Sequence, residues 1–269
     1  MGLVAVWLFV IVCIGVPTVS ASHFRYGTFS WRVTSANGLT VEFYLEQAYR
    51  TSYYTSVGFL VCEGSSCTIP VTDYCCCRFN ECRLFFGDTE SANIALIPSQ
   101  VARDGQDWFV GTQTISYRYP SAGRYLVGFS QCCRLSALRE GNNDNRAALQ
   151  FTVDLRPNMP KRGIRATMFP IVQFYEDRAT SFLVPGQRSD NGADLTYTTS
   201  NLNPSTDSNS RGNLGSPGTG FQTTIGDSGL AKATPTGLTL SQNGLLSWKP
   251  ALGSQGLYAM QVNCRIFRD

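Results

Sequence analysis

Thr28-Phe29-Ser30-Trp31-Arg32-Val33, a break at Asn37-Gly38, and Leu39-Thr40-Val41-Glu42-Phe43-Tyr44-Leu45-Glu46-Gln47 form the stretch on which the fold turns. In the second run apolar and polar residues alternate strictly, the two-residue period of a strand with one buried and one wet face. Asn-Gly between two such runs is a tight-turn signal, because both residues accept positive φ at little cost. These residues predict a β-hairpin in which Glu42 and Glu46 share the solvent face.

Working outward, strand-like runs recur at 57–61, 83–86, 108–112, 114–119, 124–129 and 148–153, with Gly, Asp, Asn and Ser between them. Short strands at this spacing predict a β-sandwich over residues 22–156. The pattern breaks at Arg156-Pro157-Asn158-Met159-Pro160-Lys161-Arg162-Gly163, where prolines and basic residues suit an exposed connector, so 157–166 is read as a linker. Runs at 168–174, 179–184, 195–198, 221–225, 238–240, 245–248 and 256–266 then predict a second, Ig-like sandwich over 167–269, interrupted by a polar loop at 201–220. The fold class expected is all-β, two sandwiches in tandem.

Composition agrees with this. Hydrophobic residues make up 43% and charged residues 15%, with 25 glycines, a turn-rich balance with too little charge for a coiled coil. Aromatic residues at 12% give the chain enough to bury, against long disorder. The net charge is only +3 and no basic run occurs, so nucleic acid is not an expected partner.

Residues 3–16 are apolar but shorter than the ~20 needed to span a bilayer, and Val19-Ser20-Ala21 is a small-x-small cleavage site. Residues 1–21 are therefore read as a signal peptide. No later run is long and apolar enough to cross a membrane, so the mature chain is expected to be secreted or at the cell surface, without a transmembrane segment of its own.

An extracellular chain keeps its cysteines oxidised. Cys62, Cys67, Cys75, Cys76, Cys77, Cys82, Cys132 and Cys133 crowd one region as an even set and read as a disulfide framework with its pairing open, stapling the first domain. Neighbours in Cys75-Cys76-Cys77 cannot bridge each other without strain, so each must reach elsewhere. A zinc cluster is the competing reading, but paired C-x2-C knuckles are missing. Cys264 is left over, read as a buried thiol in the last strand or as an intermolecular bridge.

The single histidine, His23, stands next to the proposed N-terminus, and no Gly-x-Ser-x-Gly elbow is present, which argues against hydrolase chemistry. Glu42 and Glu46 could act as a glycosidase pair, but their alternation with Val41, Phe43 and Leu45 makes a solvated strand face the simpler reading. Arginine outnumbers lysine nineteen to three, favouring bidentate contacts to carboxylates or sulfated glycans. Tyr49, Arg50, Tyr53 and Tyr54, in a Ser/Thr-rich turn, form the candidate binding segment: a recognition loop or a sugar-stacking platform.

Asp190-Asn191-Gly192-Ala193-Asp194-Leu195-Thr196-Tyr197, Pro235-Thr236-Gly237-Leu238-Thr239-Leu240-Ser241-Gln242-Asn243-Gly244-Leu245-Leu246-Ser247-Trp248-Lys249-Pro250 and Gly256-Leu257-Tyr258 resemble, in order, the cadherin-like, putative-immunoglobulin repeats of cell-surface proteins. The opening Ser22-His23-Phe24-Arg25-Tyr26-Gly27-Thr28-Phe29-Ser30-Trp31 looks like the leading module that precedes such repeats. The resemblance implies a β-sandwich built for binding and adhesion. It also raises calcium as the one candidate cofactor, with Asp190 and Asp194 as candidate ligands and Asn143-Asp144-Asn145 beside them, although the family's glutamate-bearing ligand motifs are missing. The expectation is thus a non-enzymatic extracellular binding or adhesion module for a protein or glycan partner. The alternatives are a secreted carbohydrate-binding or carbohydrate-active protein, or the N-terminal fragment of a longer membrane-anchored receptor.

Overall fold

The structure, a computed structural model, describes residues 24–56, 61–63, 66–68, 83–102, 106–131, 147–166, 171–187, 195–199, 222–226, 236–253 and 261–266. In chain order the strands are β1 (Phe24–Val33), β2 (Thr40–Tyr49), β3 (Val61–Glu63), β4 (Ser66–Thr68), β5 (Arg83–Phe85), β6 (Ser91–Asn93), β7 (Ile97–Val101), β8 (Phe109–Arg118), β9 (Arg124–Gln131), β10 (Ala147–Asp154), β11 (Arg165–Ala166), β12 (Thr180–Leu183), β13 (Gly186–Gln187), β14 (Leu195–Thr199), β15 (Gln222–Gly226), β16 (Thr239–Leu240), β17 (Leu245–Trp248) and β18 (Gln261–Ile266). One short helix, α1 (Thr51–Ser56), follows β2. The chain is all-β as its alternation predicts.

The hairpin forms as β1–β2, in register from Val33 opposite Val41 to Tyr26 opposite Ala48. At its turn the Asn37 side-chain oxygen accepts from Leu39 N–H at 3.1 Å and from the Ser35 hydroxyl at 2.7 Å, while Gly38 takes φ 74°. A second sheet partner, β8, pairs with all ten residues of β2, and β7 closes the order β1-β2-β8-β7. Facing it is the β10-β9-β5-β6 part of a seven-stranded sheet.

Between the two sheets lies the main core. Phe29, Val41, Phe43 and Leu45 of the first sheet meet Val127, Phe129, Leu149 and Phe151 of the second, all at most 2% exposed. Ring centroids of Phe29 and Phe129 are 4.9 Å apart and those of Phe43 and Phe86 5.5 Å. Each such burial contributes roughly 1.5–3 kcal/mol, so this layer dominates the stability.

Residues after 156 build onto this sandwich. β15 pairs with β10 and continues through β18 to β14, extending the second sheet to seven strands in the order β14-β18-β15-β10-β9-β5-β6. A second core joins Tyr26, Ala48, Trp108 and Val110, on the outer face of the first sheet, to Ile164, Val184, Tyr197 and Leu246. Beside it, β12-β17-β16 form a three-stranded sheet and β11–β13 a two-stranded one.

The segment read as an exposed connector is docked. Pro160 and Ile164 are buried, Val33 N–H donates to Lys161 C=O at 2.6 Å, and Gly163 N–H donates to Trp31 C=O at 2.8 Å. The open edge of β1 offers donors and acceptors that this segment satisfies.

Other departures have similar causes. The runs at 108–112 and 114–119 are one strand, β8, because both of its edges are paired, to β2 and to β7. Residues 171–174 take no strand: Ile171 and Phe174 pack onto the second core, Phe174 edge-on to Trp248 at 5.6 Å. Residues 1–23, including His23, Cys75, Cys76, Cys77, Cys82, Cys132, Cys133, 143–145, Asp190, Asp194 and the tract 201–220 lie outside the described residues. Among the described residues no helix is long and apolar enough to cross a membrane.

Candidate functional site

Both ends of the β1-β2-β8 ladder gather polar and aromatic groups. At the end where β1 begins and β2 stops, the chain enters α1. Tyr49 is fully buried, its ring 5.7 Å from Phe24 and 5.8 Å from Phe109, and its hydroxyl donates to the Gln47 side-chain oxygen. Tyr54 is buried as well, with its centroid 5.4 Å from that of Tyr49. Of the candidate binding segment, the two tyrosines that face the core have no ring surface free for stacking; half-buried Tyr53 and Arg50 stay at the surface.

Arg50 is anchored by Asp107, a residue the sequence does not single out. Its Nε donates to Asp107 Oδ2 at 2.8 Å and to Ser52 Oγ at 2.9 Å. Asp107 also accepts from Ser52 N–H at 2.7 Å and from the Ser52 hydroxyl at 2.6 Å. Burial works to raise the Asp107 carboxyl, but the bonds from Ser52 and Arg50 outweigh it and hold the group below its ordinary range. Arg25 joins the cluster because a β-bulge between Phe24 and Tyr26 inserts it as an extra residue. Its guanidinium is lowered by burial, against the attraction of Asp107 and in the same direction as repulsion by Arg50.

At the opposite end a groove of about 510 Å³ is lined by Leu39, Asp88, Glu90, Tyr117, Tyr119 and Pro120, with Arg118 at its rim. The turn that carries the carboxylates is tight. Gly87 takes φ 86°, and a Cβ there would meet the Leu126 carbonyl oxygen at 2.6 Å. Thr89 takes φ 85°, a conformation that β-branched residues adopt only under constraint. Phe86 N–H to Glu90 C=O at 3.0 Å closes the turn.

Aromatic rings floor this groove. Phe86 and Tyr117 stack at 3.9 Å, Tyr117 and Tyr119 meet edge-on at 4.9 Å, and Tyr119 and Tyr125 stack at 4.0 Å. The Tyr117 hydroxyl donates to Asp88 Oδ2 at 2.7 Å, and the buried Tyr119 hydroxyl to Phe86 C=O at 3.0 Å. Burial, reinforced by Asp88, raises both phenols well above their ordinary value, so both remain proton donors. Flat rings with carboxylate acceptors and a guanidinium around them suit hydrogen bonding to a polar ligand in a space of ordinary ligand size.

Glu42 and Glu46 do not share an open face. Glu42 pairs with Arg32 at 2.6 Å, whereas Glu46 lies under the docked segment, accepting from the Tyr26 hydroxyl at 3.5 Å and the Tyr44 hydroxyl at 3.4 Å. Arg165 sits 4.5 Å over the Tyr44 ring and shields that patch. Cys62 stands opposite Cys67 in the β3–β4 register. Cys264 lies in β18 with Tyr197 and Thr223 as its register partners. Among the described residues no group of three or more His, Cys, Asp or Glu could hold a metal ion.

The loops at the ends of a β-sandwich are the positions free to carry exposed polar groups on a rigid frame. Residues 25–156 match the family model described as Integrin beta-like protein A-E, N-terminal. The chain is 25% identical over 260 residues to Integrin beta-like protein A of Dictyostelium discoideum, covering 90% of this chain and 11% of that protein. It is 26% identical over 186 residues to Integrin beta-like protein C of the same organism, covering 66% of this chain and 9% of that protein. The chain therefore spans 9–11% of the length of these curated relatives. No solved structure matches it. These likenesses are to integrin beta-like proteins, with the family model confined to the first sandwich.

Proposed function

We propose that this chain is a non-enzymatic extracellular binding module of adhesion type, and that the groove formed by Asp88, Glu90, Tyr117 and Arg118 seats its ligand. The observation that carries the reading is the strained Thr89, which holds two carboxylates at the mouth of a ring-floored groove. Strain of this kind persists only where the surroundings enforce it, and it collects at ligand clamps. The match over 25–156, a segment that contains the groove, supports an adhesion role. In the same reading, residues 22–156 are a disulfide-stapled domain in which Cys62 bridges Cys67, and 167–269 is a cadherin-like sandwich. Calcium on Asp190 and Asp194 remains part of this proposal.

The test is attachment of cells to the immobilised secreted chain, comparing wild type with the Asp88→Asn, Glu90→Gln double variant. Both substitutions keep shape and remove charge. The expected result is at least a tenfold loss of attachment with an unchanged melting temperature, about 1.4 kcal/mol or more of binding. Equal attachment by both proteins would refute the groove as the ligand seat.

A carbohydrate ligand is the second reading, favoured by the Tyr117 and Tyr119 rings beside paired carboxylates. Glycan-array binding that the same double variant abolishes would support it over a protein ligand.

A further inference from the structure

The groove beside the Asp88–Glu90 turn offers acceptors and negative charge, and its phenols have no proton left to give. The Tyr117 hydroxyl already donates to Asp88 Oδ2 at 2.7 Å and the Tyr119 hydroxyl to Phe86 C=O at 3.0 Å. Asp88 Oδ1 takes Glu90 N–H at 3.3 Å, whereas the exposed Glu90 carboxylate takes no donor from the described residues. Among those residues neither carboxylate is in ion-pair contact with a cation. Arg118 is exposed and follows Tyr117 in β8, so strand alternation turns its side chain to the opposite face from that ring. Burial raises the Tyr117 phenol and the charges of Asp88 and Glu90 raise it further, so the field of both carboxylates reaches into the groove.

The geometry points to a cationic side chain, that of an arginine or lysine on a protein partner, as the ligand of this groove. The inference rests on the groove being the ligand seat and names the chemistry that it selects. Lysine and arginine carry donors and no acceptor, the complement of a lining whose hydroxyls are spent. Their apolar stems would lie against Leu39, Pro120 and the Tyr117 ring, with the charged head at the two carboxylates. A neutral sugar would leave both charges uncompensated, and a sulfated one would be repelled. A hard divalent cation needs six or more oxygens, and no group of three His, Cys, Asp or Glu ligands exists among the described residues.

The test is titration of the full secreted chain, 15N-labelled, with N-acetyl-arginine amide and N-acetyl-lysine amide, following the Thr89 and Tyr119 backbone amides. N-acetyl-citrulline amide, which keeps the arginine shape without its charge, is the control. Saturable binding of at least one cation is expected, about tenfold weaker for citrulline and lost in the Asp88→Asn, Glu90→Gln double variant, as befits loss of charge-assisted hydrogen bonds. Arg118→Gln removes the positive charge at the rim and should tighten the same binding roughly twofold, a gain that misfolding cannot produce. Equal affinity for citrulline, no shift with either cation, or calcium chloride saturating the same resonances at a lower concentration each overturns the proposal. Cell attachment separates that failure from failure of the groove: attachment still lost in the double variant keeps the groove with another ligand, and unchanged attachment removes the groove as well.

Discussion

Gly163→Ala tests whether the segment after the first sandwich is an integral part of it. A Cβ at position 163 would stand 2.5 Å from Trp31 Nε1, 2.6 Å from Cδ1 and 3.2 Å from Cε2. Trp31 is 3% exposed and packed among Phe29, Val41 and their neighbours, so the indole cannot swing away. Restoring an ordinary carbon contact of about 3.5 Å requires the 161–163 backbone to retreat by roughly 1 Å. The Gly163 N–H to Trp31 C=O bond, now 2.8 Å, then stretches beyond bonding range, and the Val33 to Lys161 bond follows. Overpacking costs about 1–3 kcal/mol and each lost backbone bond about 1 kcal/mol more. The variant should lose about 3–5 kcal/mol, and its melting temperature should drop by roughly 6–20 °C in differential scanning calorimetry. Trp31→Phe removes the clashing edge, so a double-mutant cycle should show coupling above about 0.5 kcal/mol. A melting temperature within about 1 °C of wild type, or additive single effects, would refute the docked segment.

Thr89→Gly relieves the positive φ and should keep or raise stability by up to about 1 kcal/mol while weakening groove binding, read by calorimetry and by cell attachment; a destabilised variant would show that Thr89 is not strained. Asp154, 2% exposed, accepts from Arg156 Nε at 2.9 Å and Nη2 at 2.5 Å; Asp154→Asn should cost about 1–3 kcal/mol in a guanidinium melt, and a shift under about 0.5 kcal/mol would discount the pair. Cys62→Ser should expose exactly one new alkylatable thiol, at Cys67, by intact-mass analysis; no new thiol means that Cys67 has another partner. The Glu46 carboxyl is raised from its ordinary 4.5 by burial, which hydrogen bonds from Tyr44 and Tyr26 and the charge of Arg165 only partly offset. The folded state then holds this proton more tightly than the unfolded one, so Glu46 lowers stability as pH rises through and above 4.5. Glu46→Gln should therefore gain stability relative to wild type between pH 4 and pH 7 in paired thermal melts, and a pH-independent difference would contradict that burial.

How far the sequence reveals this architecture depends on the range of the interaction. The β1–β2 hairpin is legible because its determinants are local: alternation from Val41 to Gln47 and turn chemistry at Asn37 and Gly38. The edge strand β7 is hidden because Pro98 and a register shift between Pro98 and Gln100 break its period, although both are devices that keep an edge strand from pairing further. At the candidate sites the same division holds. Arg50 and Tyr53 are recognisable from composition, but Asp107 lies 57 residues from Arg50, and only the pairing of β2 with β8 brings them together. Arg25 has no sequence mark at all, because its exposure to the cluster depends on a bulge. Tyr49 and Tyr54 were indistinguishable in sequence from Tyr53 until packing turned two of the three inward.

Edge protection connects the fold to where binding chemistry can lie. A free-standing sandwich of β1-β2-β8-β7 against β10-β9-β5-β6 would leave β1 and β10 with rows of unpaired donors and acceptors. The 161–163 segment covers β1 through the Val33 and Trp31 bonds and an antiparallel bridge from Arg32 to Arg162, while β15 covers β10. The same C-terminal residues occupy the outer face of the first sheet at Tyr26, Ala48, Trp108 and Val110. Two of the four sheet edges and one outer face of the sandwich are thereby committed to packing, and both candidate sites lie away from those surfaces, at the ends of the strands. The Asp88–Glu90 turn and the Arg25–Arg50 pair sit at those two ends, separated by a ladder of ten residues, or about 33 Å of strand. At that distance exposed charges are screened from one another at physiological salt, so a change of charge at one end leaves the electrostatics of the other unaltered.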